Sequence, residues 1–564
     1  MTTHRLPLLL GVLGALGVPG ASSQAADPKR PNILLIMADD MGFSDITPYG
    51  GEIHTPNLDA LAKQGLRFTQ FYNTARCCPT RAALLTGHDS HLAGVGHMVN
   101  HRDLPGYLGY LNDSSVTIAE ALRPAGYHTA MAGKWHVGED RPHWPVDRGF
   151  EHYTGLISGS CNYFDIGPKT FAIDGQKTVP GEPGTFYLTD VFADAAVKYI
   201  HDLSHSPDGK PFFLYMAFTS PHWPLHALEP DIARYRGKYK NVGWDQLREQ
   251  RHQRQIQLGI VDANWPLTPR DPKAPAWDSL SEEQKIDRDQ RMAVYAAQID
   301  HMDQRIGDIL RALKDGGADQ NTLILFLSDN GGCAEEIHQG DKTAPIGTMK
   351  SYESYGLPWA NASNTPFRLY KHWVHEGGIS TPLIAVWPGV ITPAKPGDSS
   401  LGRMTSALGH VTDLLPTILD AAGAQYPTTY NGHPITPVTG QSLVPALKTA
   451  EGSAPPPHKP IFWEHEGNRA LRDGQWKLVS RHKGGAEGKD EWELYDMTAD
   501  RTEMHNLADQ HPDKVKEMAA MWNDLARQYN VLPWDEVTAH DAKVAEKTKS
   551  GKKGKNKKKK DATE

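Results

Sequence analysis

Five short apolar runs punctuate the chain: Ile33–Met37, Thr129–Ala132, Phe212–Ala217, Leu323–Leu327 and Leu383–Trp387. Each gives way to polar or glycine-rich residues. Runs without an alternating polar face predict strands buried on both sides. Helical patterns lie between them. Thr55-Pro56 supplies an N-cap and a first-turn proline ahead of Leu58, Leu61 and Ala62. Ser281 and Gln284 form a capping box. Beyond it, apolar residues from Met292 to Leu313 step by three and four, which predicts one long amphipathic helix. Strand–helix alternation predicts an α/β sheet with helices on both faces and a site at the carboxyl ends of its strands.

The flanks read differently. Met1–Ala26 has Arg5, the apolar run Leu6–Val18 and small residues before Ala26, the pattern of a cleaved secretory signal. It is too short to span a bilayer, and no lipid-attachment cysteine follows. The expectation is a periplasmic or secreted protein with no stable membrane anchor. Residues 263–280 contain four prolines and predict an extended surface insertion. Ser453–Pro460 reads as a linker. After it, Ile461–Glu464, Arg469–Leu471, Trp476–Ser480 and Trp492–Tyr495 predict a small antiparallel sheet, with a closing helix over Val515–Tyr529. The expected division is a signal peptide over 1–26, a large domain over 27–455, an α+β subdomain over 456–536 and a disordered tail over 537–564.

Composition narrows the function. The net charge of −8 argues against a nucleic-acid binder working by bulk charge. The last 24 residues hold ten lysines against four acids, a solvated tail. The four cysteines are Cys77, Cys78, Cys161 and Cys333, too few for a disulfide scaffold. Export permits a bridge between Cys161 and Cys333.

The polar residues after the strands carry the chemistry. Asp39-Asp40 follows the first strand and Asp329-Asn330 the fourth. Brought to one sheet edge, they form an oxygen-only cluster suited to a hard divalent cation, Ca2+ or Mg2+. Without a cation, clustered carboxylates repel and some stay protonated. Lys134-Trp135-His136 and Ser220-Pro221-His222 follow two further strands, and Lys371 lies ahead of the last. Cations and histidines beside a metal imply an anionic, oxygen-rich substrate group.

Residues 77–87 read CCPTRAALLTG, which fits C-x-P-x-R followed by L-L-T-G with Cys77 first. Here the chain resembles the type I sulfatases, the formylglycine-dependent arylsulfatases of the alkaline phosphatase superfamily. The resemblance extends through PNILLIMADDMG at 31–42, HTPNLDALAKQGLRFTQFY at 54–72, GKWHVG at 133–138, SPH at 220–222, LSDNGG at 327–332 and TPFRLYKHWVHEGGISTP at 365–382. It implies a large, mixed, mostly parallel sheet flanked by helices, with a smaller C-terminal antiparallel sheet and helix. It also implies hydrolysis of sulfate monoesters to sulfate and an alcohol or phenol.

In that family the motif cysteine is oxidised to formylglycine by a separate formylglycine-generating enzyme. Cys77 matches; Cys78 has Thr80 and Ala82 at the +2 and +4 offsets and does not. Carried over residue by residue, Asp39, Asp40, Asp329, Asn330 and the oxidised Cys77 would hold one Ca2+, with Mg2+ second. Arg81 and Lys134 would hold the formylglycine, His136 would deprotonate its second hydroxyl, and His222 would protonate the leaving group with Lys371 assisting. The substrate would be a sulfated small molecule or glycan. The competing readings are a phosphodiester or phosphonate monoester hydrolase of the same superfamily, a two-zinc phosphomonoesterase, and an inactive sulfated-glycan-binding protein if Cys77 is not oxidised. Simpler readings suffice elsewhere. His97 and Asn100 are loop or pocket residues, Asp300 and Asp303 a solvated helix face, and Trp223 and Trp265 packing residues. Specificity is expected in the loops around 97–112, 155–185 and 225–280.

Overall fold

The computed structural model describes residues 30–393, 402–449, 455–484 and 490–544, together with 1, 2 and 453. The expected signal segment after Thr2 and the lysine-rich stretch after 544 lie outside the described residues.

Ten strands form the main sheet: β1 Asn32–Ala38, β2 Leu66–Tyr72, β3 His128–Gly133, β4 His152–Leu156, β5 Phe171–Ile173, β6 Gln176–Lys177, β7 Phe212–Ala217, β8 Thr322–Ser328, β9 Ser380–Val386 and β10 Arg403–His410. Their order is β10-β2-β9-β8-β1-β7-β3-β4-β5-β6. The centre, β8-β1-β7-β3-β4, is parallel, while β9 runs antiparallel to both β2 and β8. The five apolar runs fall in β1, β3, β7, β8 and β9. β1 shows why they lack polar alternation. Leu34, Ile36 and Ala38 enter the core on one face, and Ile33, Leu35 and Met37 the core on the other. β10 was not legible because its outer half is only partly covered and carries Arg403 and Thr405.

The long helix spans Glu282–Asp315, and the Ser281–Gln284 capping box is present at its start. Asp300 and Asp303 on it are buried, which corrects the solvated-face reading. Asp303 accepts the backbone N–H groups of Asn57 (3.0 Å) and Leu58 (2.8 Å), and so caps the helix Pro56–Gln64 in place of Thr55, whose hydroxyl bonds Thr47 instead. Asp300 accepts from Arg234 and Tyr235. A carboxylate on an apolar helix reads as solvated when its partner is 246 residues away.

The proline-rich stretch 263–280 is irregular but not wholly at the surface. Thr268 and Trp277 are buried, and the Trp277 ring packs 4.6 Å from Trp244 and 5.7 Å from Trp359. All four cysteines are free, so Cys161 and Cys333 are not bridged.

The C-terminal sheet pairs Ile461–His465, Asn468–Asp473, Trp476–Ser480 and Glu493–Asp496 in antiparallel order. The helix Pro512–Gln528 covers one face through Met518 and Trp522, the latter stacked on Phe462 at 5.2 Å. The other face meets the main body through an apolar cluster that includes Tyr72 and Trp463, and through buried charges. Lys477 Nζ bonds Glu376 (2.8 Å) and pairs with Glu503 (2.7 Å), and Arg501 Nε bonds Glu376 at 2.9 Å. Residues 534–544 are helical, Val537 is buried, and Asp541 pairs with Arg102 at 2.9 Å. Order therefore continues past the expected tail boundary at 537. Among the described residues no helix is long and apolar enough to cross a membrane.

His91 is a further tie. Its Nδ1 lies 3.0 Å from Asp89 and its Nε2 2.8 Å from Glu464 of the small sheet. Burial alone would lower its pKa, but the two carboxylates outweigh burial and raise it to about 9. The stability it adds is complete below an unfolded imidazole pKa of about 6.5 and is lost as pH rises towards about 9. His91→Gln is expected to lower the urea midpoint most at pH 6. The gap to wild type should narrow steadily up to pH 9; a constant gap across that range would contradict the pairing.

Candidate active site

The site follows from sheet direction. β8, β1, β7 and β3 are consecutive neighbours running the same way, so the loops after them meet at one edge. Those loops carry Asp329-Asn330, Asp39-Asp40, His222, and Lys134 with His136. Backbone bonds stitch them together: Asp39 N donates to Ser220 O (3.0 Å), Lys134 N to Ala217 O (2.8 Å) and Asp329 N to Ala38 O (3.1 Å). β2 points the same way and delivers the helix Cys77–Thr86. β9 is reversed, so its entry end lies at this edge, which is why Lys371 precedes its strand. Asp40 and His136 hold left-handed backbone, φ 65° and 57°, a conformation that clusters at functional sites.

Three carboxylates and three cations are buried here. Lys134 Nζ donates to Asp39 Oδ2 at 2.6 Å. Arg81 donates to Asp329 Oδ2 through Nη2 (2.7 Å) and Nε (3.1 Å), and lies 3.6 Å from Asp39. Lys371 Nζ stands 2.7 Å from Asp40 Oδ1, which also accepts from Asn330 Nδ2 at 2.6 Å. His222 Nε2 is 3.5 Å from Asp40 Oδ2. Burial pushes Asp39 up despite Lys134 and Arg81. Burial, with Asp39 beside it, lifts Asp329 to about 7. Asp40 also feels burial, but Lys371 and His222 overcome it and hold the acid well below the usual carboxylate range.

One oxygen on each of three residues accepts no hydrogen bond. Asp39 Oδ1, Asp40 Oδ2 and Asn330 Oδ1 are buried without a hydrogen bond. An orphaned buried acceptor costs about 1–3 kcal/mol, so three in one cluster call for an electrophile. A hard divalent cation fits that all-oxygen donor set.

Cys77 begins its helix beside this cluster and is only 2% exposed. Hydrogen bonding from Cys78 lowers its pKa well below the usual thiol range; burial opposes this, and Lys134, His136 and Lys371 reinforce it. Burial raises Cys78 instead. Cys78 Sγ lies 3.4 Å from each ring nitrogen of His136 and 3.7 Å from Met98 Sδ. Burial drops both His136 and His222 to about 4, so both are neutral near pH 7.

All ten expected site residues thus come together. Several neighbours were not foreseen. Arg76 pairs with Glu335 at 3.0 Å, and Trp223 Nε1 donates to Glu335 at 2.8 Å while its ring packs 4.6 Å from His222. Tyr163 Oη donates to the carbonyls of Thr219 (2.6 Å) and His222 (3.0 Å), fixing that loop. No sequence signal marks Glu335 or Tyr163. Asn100 is exposed, His97 is buried against Glu466, and Trp265 bonds Thr498 O.

A mixed α/β sheet whose strand ends gather a buried thiol, acids and cations around an oxygen cluster fits a hydrolase for an oxyanion ester. The comparisons specify which. The sulfatase family profile matches residues 31–424, and the profile described as N-sulphoglucosamine sulphohydrolase, C-terminal, matches 367–530. An uncharacterized sulfatase of Schizosaccharomyces pombe is 36% identical, covering 93% of this chain and 98% of its own. The arylsulfatase of Klebsiella aerogenes is 36% identical over 75% of this chain and 93% of its own. The crystal structure of Ps i-CgsB, at 25% identity, superposes with a TM-score of 0.64 over 90% of this chain and 94% of that one. The chain belongs to the sulfatase family and is a sulfuric ester hydrolase.

Arg81→Gln removes the cation from Asp329 and leaves a buried acid unpaired. A loss of about 3–5 kcal/mol is expected, read as a lower unfolding temperature. An unchanged temperature would show that Arg81 does not offset these acids.

Proposed function

We propose that the protein hydrolyses sulfate monoesters through a formylglycine derived from Cys77 and one divalent cation, Ca2+ before Mg2+. The observation that carries this is the cluster of Asp39, Asp40 and Asn330, each with a buried oxygen that accepts no hydrogen bond, beside a buried Cys77. The cation, when bound, would supply charge to the attacking oxygen and to the sulfate. Formylglycine, when hydrated, would supply one hydroxyl to attack sulfur and a second whose deprotonation releases sulfate; a thiol offers no such exit.

This chain's residues then divide the work. Asp39, Asp40, Asp329 and Asn330 hold the cation. Arg81 and Lys134 hold the oxygens of residue 77 and their developing charge. His136, neutral at pH 7, is poised to take a proton from the second hydroxyl. His222 Nδ1 donates to Trp223 O (2.6 Å), which leaves Nε2, 3.5 Å from Asp40 Oδ2, to collect a proton. An arriving sulfate anion favours the charged imidazole, which then protonates the leaving oxygen beside the Lys371 ammonium. Charge balance supports an anionic substrate. Three acids and three cations cancel, so a divalent ion leaves an excess of positive charge for a sulfate ester to meet.

The relatives bear on substrate class. One neighbour, at 25% identity and a TM-score of 0.58, was solved with its substrate D-glucosamine-2-N,6-O-disulfate. We take a sulfated saccharide or an aryl sulfate as the substrate, and a formylglycine-generating enzyme of the exporting cell as the partner that prepares Cys77.

Intact-peptide mass spectrometry on protein from the native host should find the Cys77 peptide about 18 Da lighter than its thiol form, and Cys77→Ser should nearly abolish turnover. Finding thiol alone, or full activity in that variant, refutes the mechanism. His222→Ala should cost about 10²–10⁴-fold on alkyl sulfates and far less on nitrophenyl sulfate, whose leaving group needs no proton. Equal losses on both would remove His222 from the acid role.

A further inference from the structure

The strand end Glu464-His465-Glu466 of the small sheet faces three histidines from loops of the main body. Glu464 takes His91, as described above. Glu466 Oε1 lies 2.7 Å from His97 Nε2, and Oε2 lies 3.1 Å from His372 Nδ1. His465 is fully buried between them, its ring 5.6 Å from each of the other two.

His97, His465 and Glu466 have the spacing of a metal-ligand group, but the proton positions speak against that use. Arg102 Nη1 is 3.0 Å from His97 Nδ1, and a guanidinium can only donate. The His97 proton therefore sits on Nε2, facing Glu466. Asn468 Nδ2 is 3.4 Å from His372 Nε2. The orientation of that amide is fixed by His482 N donating to its oxygen (3.0 Å) and by its own donation to His465 O (2.9 Å). His372 thus carries its proton on Nδ1, also facing Glu466. One carboxylate accepts from two imidazoles whose lone pairs point elsewhere.

Each imidazole belongs to a loop that shapes the site. His372 directly follows Lys371, holds left-handed backbone at φ 90°, and donates its N–H to Ala75 O (2.8 Å), two residues before Cys77. His97 directly precedes Met98, which touches Cys78. Behind His97 stand Trp534, its ring 4.8 Å away, and the Arg102–Asp541 pair. Glu466 itself holds left-handed backbone at φ 49°. A non-glycine residue stays in such a conformation only when its surroundings over-determine it.

We propose that Glu466 is a positioning residue for the reaction: through His372 it sets Lys371 against Asp40, and through His97 it holds the 97–98 loop against Cys78. The small C-terminal sheet is then part of the catalytic apparatus, although it supplies no reacting atom. This inference rests on the sulfatase mechanism proposed above.

Glu466→Gln tests it. An amide can accept from one imidazole but presents its own N–H to the other. Full-length variants are assayed on nitrophenyl sulfate, with conversion at residue 77 measured by mass spectrometry so that rates refer to converted protein. The kcat of E466Q should fall about tenfold to hundredfold with KM little changed and the unfolding temperature near that of wild type. E466D should recover part of the loss. His372→Asn tolerates the left-handed backbone, and adding it to E466Q should cost little more than either change alone. Full kcat in E466Q overturns the inference. So does a rise in KM alone, which would make Glu466 a substrate contact, or a loss of activity that tracks unfolding with no recovery in E466D. Stoichiometric zinc held by the wild type and lost in E466Q overturns it as well. A wild type that turns over no sulfate ester sinks the underlying mechanism, whereas a fully active E466Q sinks this inference alone.

Discussion

Asp39, Asp40 and Asp329 are ionisable groups placed in the dry interior at the edge of one sheet, and their mutual repulsion is the constraint around which the rest is arranged. Isolated charges there would cost several kcal/mol each. Arg81, Lys134 and Lys371 answer them one for one, and each cation arrives from a different element: a helix after β2, the loop after β3, and the loop before β9. The fold can be seen as the means of bringing these six groups together. Consecutive parallel strands put the loops at one edge, and one reversed strand lets a sixth group enter from the other chain direction.

The pairing also explains division of labour among like residues. Asp40 sits against Lys371 and Asn330 and stays ionised, while Asp329, close to Asp39, titrates near 7 in spite of Arg81. Identical side chains a few ångströms apart differ because their partners differ. The two neutral histidines follow from the same economy. With the nearby acids already matched by lysine and arginine, burial decides their state.

Much of this was legible in the chain. Runs buried on both faces announce themselves by lacking polar alternation, so β1, β7 and β8 were plain, and with them the placement of Asp39-Asp40, His222 and Asp329-Asn330. The motif at 77–81 singled out Cys77 by resemblance as the candidate nucleophile. What escaped depends on long-range pairing. Asp303 reads as solvent-facing until its partner, the start of a helix 246 residues away, is known. β10 carries polar residues because half of it is only partly covered. Glu335 and Glu466 sit in stretches with no periodicity, and only tertiary contact gives them meaning. Described order runs past 537 for a related reason: one buried valine and one ion pair hold residues that composition alone would release.

The segment around Ser453–Pro460 invites an engineer to cut there and graft the piece that follows onto another scaffold. The buried contacts of Lys477 and Arg501 with Glu376 forbid it, because separation would strand a carboxylate in one fragment and two cations in the other. Such proteins should diversify by altering loops in place; wholesale exchange of their halves would fail.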